Sequence, residues 1–364
     1  VSSSPMTSPR PSSVVVALSG GVDSSLAAAL LKEEGWEVHG VHFVLPSSDE
    51  ERKGKEQAAE RVARHLGIPL EMVDLRTQFE ERVVRPFVDG YLAGRTPNPC
   101  VVCNPEVKFD ALLAWADGHG VRFGATGHYV RTARPGEDAP GLLRGRDPGK
   151  EQSYFLHRLG RRELTRSLFP LGGLLKTETR AMAAGRGLPS RSSPESQEIC
   201  FLSGEDYRSF LERRRRGAAS GHGPIVDGEG RRLGGHRGVF RYTVGQRRGL
   251  GIASAEPYYV VALRPERREV VVGRREDLLS RRVEAVSFSW VSGCPDGACR
   301  RAEAQVRYRH AAASGRLEPL GKDRVRFVFD EPQPAVTPGQ ALVCYDGERV
   351  LGGGWIVRAG DGQG

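Results

Sequence analysis

The chain has 364 residues, enough for two or three domains, and its hydrophobic share of 38% suits a globular protein with sizeable cores. No apolar run approaches the roughly 20 residues that a membrane-spanning helix needs, so no membrane partner is expected. The net charge of +9 favours a polyanionic partner, although most of the 54 basic residues are arginine and a generally basic surface is the plainer reading.

The first thirteen residues are mostly Ser and Pro and lack an apolar h-region. They read as a disordered tail, 1–13, rather than a signal peptide, with Met6 as an alternative start. A cytoplasmic, reducing setting follows. There the six cysteines at 100, 103, 200, 294, 299 and 344 are metal ligands, catalytic groups or buried apolar residues rather than disulfides.

Val14-Val15-Val16-Ala17-Leu18 reads as a buried strand, Ser19-Gly20-Gly21 as a turn, and Leu26 to Glu34 as a helix closed by Gly35. Such a turn brings backbone N–H groups and the positive end of a helix dipole to one point, which suits phosphate. Gly20 and Gly21 permit close approach, and Ser19, Ser24 and Ser25 add hydroxyls. Asp23 would repel a bare phosphate and is expected to hold a bridging Mg²⁺. No G-x-x-x-x-G-K-[ST] is present, and no G-x-G-x-x-G follows a strand.

Strands expected at 37–45, 70–75 and 121–126 alternate with helices at 49–66, 79–92 and 108–117. This order predicts an α/β fold with a doubly wound parallel sheet, whose ligands sit beyond the carboxyl ends of the strands. Gly127 and His128 fall at that edge. Residues 94–109, with their prolines and asparagines, read as an ordered loop. It carries Cys100 and Cys103 as C-x-x-C, which is a redox pair, a metal pair or a coincidence.

Residues 145–156 read as a charged loop anchored by Tyr154, Phe155 and Leu156, leaving Lys150 and Gln152 as phosphate or base contacts or as solvated surface. A short helix is expected at 177–185. Cys200 lies in an apolar run, so residue physics alone makes it a buried small hydrophobe. The arginine and glycine run at 213–223 marks a boundary. Beyond it come short strands around Tyr242 to Leu250, then a β pattern from 283 to 357 that suggests a small barrel. Cys294, Cys299 and Cys344 read as structural or incidental. The expected division is 14–212 catalytic, 213–280 a small β-rich middle domain, and 281–364 a C-terminal β-barrel.

The pattern S-G-G-x-D-S-S resembles the loop of the N-type ATP pyrophosphatases. The ordered set SGGVDSS, TPNPCVVCN, ATGHY, KEQSYFL, ICFL, YTVGQRRGLG, VRYR, PGQALVCYDG and LGGGWI resembles the tRNA-specific 2-thiouridylase family (MnmA) over nearly the whole chain. That resemblance implies ATP with Mg²⁺, a tRNA, and a sulfur donor protein or hydrosulfide. ATP would adenylate the 2-carbonyl oxygen of the wobble uridine, and sulfur would then replace that oxygen. By position, Ala17, Leu18, Ser19, Gly20, Gly21, Val22, Asp23 and Ser24 would bind ATP, with Phe43 and Gly127 near the adenine or ribose. Asn98, Pro99 and Cys100 would meet the flipped-out base. His128, Lys150, Glu151, Gln152, Arg307, Tyr308 and Gln340 would touch tRNA. Cys200 would carry a persulfide and Cys103 would be its partner thiol.

The chain departs from the family pattern at four places. Phe43 stands where Met is common, Cys100 where Asp is usual, Glu151 where Asp is frequent, and Glu198 where Gly is usual. Cys100 adds a third thiol to Cys103 and Cys200. Three thiols on one open site are the ligand set expected for a [4Fe–4S] cluster with one free iron, with zinc as a competitor and a two-cysteine persulfide route as the alternative. Two other classes of protein stay in view: a pyrophosphatase-fold ligase for a small molecule, and an RNA-binding protein with a vestigial ATP site.

Overall fold

Val14, Val15 and Val16 are each fully buried, as a strand covered on both faces requires. In the computed structural model, which describes residues 12–133, 141–190, 199–214, 221–291 and 299–360, they form the centre of a parallel sheet. Its elements are β1 (Ser13–Ala17), α1 (Val22–Glu33), β2 (Glu37–Val44), α2 (Asp49–Leu66), β3 (Leu70–Asp74) and β4 (Phe123–Ala125), with Ser167–Leu168 as a two-residue edge strand. The order is β3-β2-β1-β4 and then the edge strand, all parallel. Val14 and Val16 pack against Ala28 and Leu31 of α1 and Ala59, Val62 and Ala63 of α2. Val15 faces the other way, against Leu112 and Ala116 of the helix Asp110–Gly118. The winding reverses between β1 and β4, so the crevice beyond their carboxyl ends lies between the glycine turn and Gly127-His128.

Residues 94–109 correct the sequence reading. They hold a helix, Pro99–Cys103, that runs through a π-helical turn, Asn104–Phe109, into Asp110–Gly118. The asparagine and prolines that suggested a loop are helix starters here. Asn98 Oδ1 accepts from the Cys100 N–H at 3.1 Å, and Pro99 and Pro105 occupy first-turn positions. The helix expected at 79–92 likewise contains a π turn, Glu80–Val84, between Arg76–Phe79 and Arg85–Leu92.

The middle region is a four-stranded sheet of Gly223–Val226, Arg232–His236, Tyr259–Arg264 and Glu269–Gly273 around Ile225, Val260, Val270 and Val272. The last region is a six-stranded antiparallel barrel of Leu279–Trp290, Arg300–Gln305, Ala313–Pro319, Val325–Pro334, Ala341–Asp346 and Arg349–Ala359. Pairing of its first strand with its last closes the ring. A hairpin of Val130–Thr132 and Leu142–Arg144 from the catalytic half continues this sheet, with Leu143 opposite Arg349. Tyr154, fully buried, donates from its hydroxyl to the Ala341 carbonyl at 3.0 Å and fixes the barrel to the catalytic half. Among the described residues no helix is long and apolar enough to cross a membrane.

Candidate active site

The β1–α1 turn is held open by its own hydroxyls. Ser24 Oγ accepts from the Ser19 N–H at 3.1 Å, and Ser25 Oγ donates to the Gly21 carbonyl at 2.7 Å. Gly20 has φ +79°, and a Cβ there would come within 2.6 Å of Ala58. Gly21 caps α1 without a side-chain bond, so no capping oxygen of its own competes for the first-turn N–H groups of the helix. Gly127 packs so closely on this turn that a Cβ would stand 2.7 Å from the Ser24 nitrogen. Phe43 lies half-buried at the carboxyl end of β2.

Asp23 is not the open carboxylate expected of it. Lys176 Nζ donates to both its oxygens, at 2.6 and 2.7 Å, and the Tyr129 hydroxyl donates to Oδ1 at 2.7 Å. A carboxylate already neutralised by a buried ammonium does not fit a direct Mg²⁺ ligand.

Of the thiols, Cys103 is buried in the aromatic cluster of Phe79, Phe87 and Phe201, while Cys100 and Cys200 reach solvent. The apolar run around Cys200 therefore buries its neighbours and not the cysteine: Phe201 sinks against Phe87 with ring centres 5.2 Å apart. Burial pushes the Cys103 thiol up to about 12, while the Lys108 ammonium pulls it down. All three thiols lie within electrostatic reach of one another and of Lys108. Among the described residues, however, no three His, Cys, Asp or Glu side chains are gathered closely enough to hold a metal ion. The donor chemistry suits an iron–sulfur cluster; the arrangement does not. Glu198 and Cys294 lie outside the described residues. Cys344 is buried in the barrel and Cys299 exposed beside it.

The residues expected to meet RNA fall into three groups. Thr96, beside Asn98 and Pro99, is tied to the barrel, its carbonyl accepting from Gln340 Nε2 at 2.6 Å. Arg307 donates to the Pro334 carbonyl at 3.1 Å, and Tyr308 stacks obliquely on Phe155 at 4.2 Å. In the 145–152 loop, Glu151 accepts from the Ser153 N–H at 2.5 Å, and Gln152 Oε1 accepts from the Tyr129 N–H at 3.0 Å. The Glu151 carboxylate and the Gln152 amide oxygen thus hold the loop itself. His128 pairs with Thr126 Oγ1 at 2.9 Å, and burial, with Lys108, holds its imidazole down at about 3, hence neutral.

Sequence reasoning missed Lys108, Tyr129 and Lys176. Lys108 follows Cys103 by one π-helical turn, a register that is invisible when the segment is read as a loop. Tyr129 and Lys176 signal themselves only through a partner 106 or 153 residues away.

Three family models match the chain in order. They are described as a tRNA methyl transferase HUP domain over residues 12–204, a tRNA methyl transferase PRC-barrel domain over 208–274, and an aminomethyltransferase β-barrel domain over 280–356. The tRNA-specific 2-thiouridylase MnmA of Geotalea uraniireducens is 47% identical over 358 residues, covering 95% of each chain. That of Desulforudis audaxviator is 48% identical over 349 residues, covering 95% of this chain and 98% of its own. The chain belongs to the tRNA-specific 2-thiouridylase family. A solved 4-thiouridine synthetase in complex with RNA and ATP matches at 19% identity and a TM-score of 0.35, over 56% of this chain and 50% of that one, a likeness too low to add to this. Family membership gives Cys100 its interest, since that position is where the sequence resemblance placed an Asp.

Proposed function

We propose that this chain uses ATP at the β1–α1 turn to activate the 2-carbonyl of the wobble uridine in tRNA, and replaces that oxygen with sulfur carried on Cys200. ATP-dependent 2-thiolation of tRNA is the activity of its family. The observation that supports this placement is Lys108, which acts electrostatically on His128 beyond β4 and on all three cysteines. One residue therefore links the ATP edge of the sheet to the thiols.

The steps balance with two cysteines. The uridine O2 attacks the α-phosphorus of ATP and pyrophosphate leaves, since a carbonyl oxygen is a poor leaving group and AMP a good one. The terminal sulfur of a Cys200 persulfide attacks C2. Cys103 attacks Cys200 Sγ, the S–S bond breaks, and AMP departs with the oxygen. The products are 2-thiouridine, AMP and a Cys103–Cys200 disulfide, which an external thiol reduces. A donor protein's persulfide would reload Cys200, its terminal sulfur passing to the Cys200 thiolate as the donor thiolate leaves; hydrosulfide would reload it only by attacking the Cys103–Cys200 disulfide at Cys200 Sγ, before any reduction, with the Cys103 thiolate leaving. Lys108 supplies the positive charge near which a thiolate or persulfide anion is stable. ATP brings Mg²⁺ with it, and no step is assigned to that ion because Lys176 already holds Asp23. No step runs through an iron–sulfur cluster.

In this reading residues 14–212 carry the chemistry, 213–280 form a middle module, and 281–364 present Arg307, Tyr308 and Gln340 to the RNA. In that reading the enzyme works in the cytoplasm. The test is a single-turnover assay with unmodified tRNA, ATP and a persulfide donor, read by mass spectrometry of nucleosides. Thiouridine at the wobble position with one AMP per sulfur is expected. AMP formation without thiolation would overturn the sulfur step. A brown, iron-bearing protein from anaerobic purification, inactive once stripped, would replace the persulfide route with a cluster.

A further inference from the structure

Two hydrogen-bonded legs tie the 145–152 loop to the ATP turn. In the first, Gln152 and Tyr129 exchange bonds: Gln152 Oε1 accepts from the Tyr129 N–H at 3.0 Å, and the Tyr129 carbonyl accepts from the Gln152 N–H at 3.1 Å. The Tyr129 hydroxyl then donates to Asp23 Oδ1 at 2.7 Å, with Thr179 Oγ1 3.0 Å away on its other side. The second leg starts at Asp147. Its carbonyl accepts from the N–H groups of Lys150 at 3.1 Å and Glu151 at 2.8 Å, and its Oδ1 from Gly149 at 2.9 Å. Its Oδ2 accepts from the Lys176 N–H at 2.8 Å, and the Lys176 ammonium grips both Asp23 oxygens.

Both legs run through side chains that water barely reaches, Tyr129 at 3% exposure and Lys176 at 8%, so a broken bond there is not replaced by solvent. Both end on one carboxylate in the first turn of α1. A displacement of the loop therefore pulls on Tyr129 and Lys176, and through them on Asp23. We propose that Tyr129 and Asp147 are positioning residues that make ATP activation depend on RNA engaging the 145–152 loop. The inference rests on the reading that this loop meets tRNA. It gives the enzyme a means to withhold ATP cleavage until the base to be activated is present. By linkage, ATP must tighten tRNA binding by the same factor that tRNA tightens ATP binding.

The test measures the affinity of a non-hydrolysable ATP analogue by calorimetry, with and without saturating unmodified tRNA. The wild type should show a ratio of about fivefold or more. Tyr129→Phe and Asp147→Asn should each cut that ratio, and the double variant should bring it within about twofold of unity. A merely structural role would weaken the analogue equally in both conditions and leave the ratio alone. Gln152→Ala reports the first leg from its other end, so loss of one variant to misfolding leaves another to decide. A wild-type ratio of one, or an undiminished ratio in the double variant, overturns the inference. Lys150→Glu separates the two levels. If it binds tRNA as tightly as the wild type, the loop is no RNA contact and the inference falls with that reading. If it weakens tRNA binding while the double variant keeps its ratio, the inference alone falls.

Discussion

The ATP turn and the thiol helix stand on the same catalytic half, yet they are finished to different degrees. At the turn, hydroxyls bond to backbone and Asp23 is matched by Lys176. At the thiols, Cys100 and Cys200 face solvent, and Lys108 has no carboxylate partner among the described residues. The turn proposed to hold phosphate is thus assembled and electrically balanced by its own groups. The thiol region holds a cation whose charged neighbours are the three cysteines, and the proposed sulfur anion would be matched there. A charge left uncompensated in a partly desolvated place is costly, and a sulfur anion that arrives there recovers the cost.

The comparison breaks hardest at the cysteines. Cys200→Ser and Cys103→Ser should each lower thiouridine formation by about a thousandfold while one round of pyrophosphate release with tRNA persists. Loss of pyrophosphate release in either variant would show that the two poles are not separable. Asp23→Ala should do the reverse. It strands the Lys176 ammonium and should lower adenylation by about a hundredfold, with tRNA affinity little changed in a filter-binding assay.

Lys108→Gln should reduce thiolation by roughly thirtyfold at unchanged analogue affinity, with partial rescue by Lys108→Arg, since charge and not shape is what the thiols need. Wild-type thiolation rates in Lys108→Gln would remove the asymmetry just described. Lys150→Glu and Arg307→Glu should each weaken tRNA binding about tenfold and flatten its salt dependence by about one phosphate contact. A binding constant that is flat from low to high salt would deny the phosphate contacts altogether.

The smallest effect expected is on stability alone. A Cβ on Gly353 would land on the ring of His157, so Gly353→Ala should cost about 1–3 kcal/mol in thermal unfolding. His157 is fully buried, and desolvation holds it down to about 4. The unfolded chain takes up that proton near 6.5 and the folded chain does not. Stability from this residue is therefore complete above pH 6.5 and lost as pH falls towards 4, which His157→Asn should flatten.

The parallel sheet was legible because Val14 to Val16 and the alternating segments after them carry a local signal. The order of motifs carried the family. The site was legible where a residue acts through its own neighbours, as Gly20 and Gly21 do. It was illegible where meaning depends on pairing across the chain. Asp23 looked like a metal ligand because Lys176 lies 153 residues on. Cys200 looked buried because its apolar neighbours are, and exposure of a single position between them leaves no periodic trace. The C-x-x-C segment was misread because Asn and Pro favour both turns and helix starts, and only the capping bond from Asn98 distinguishes the two.

The hairpin that meets the barrel sets an order of events during synthesis. Leu143 pairs with Arg349, so the edge that carries the 145–152 loop is completed only when the final strand has left the ribosome. Until then the nascent chain can close its first sheet around Val14 to Val16, because those contacts are made within the first 125 residues. A chain halted before residue 349 would therefore hold the β1–α1 turn and a 145–152 loop whose neighbouring hairpin still lacks its barrel partner, and such long-range closure is the slow part of folding.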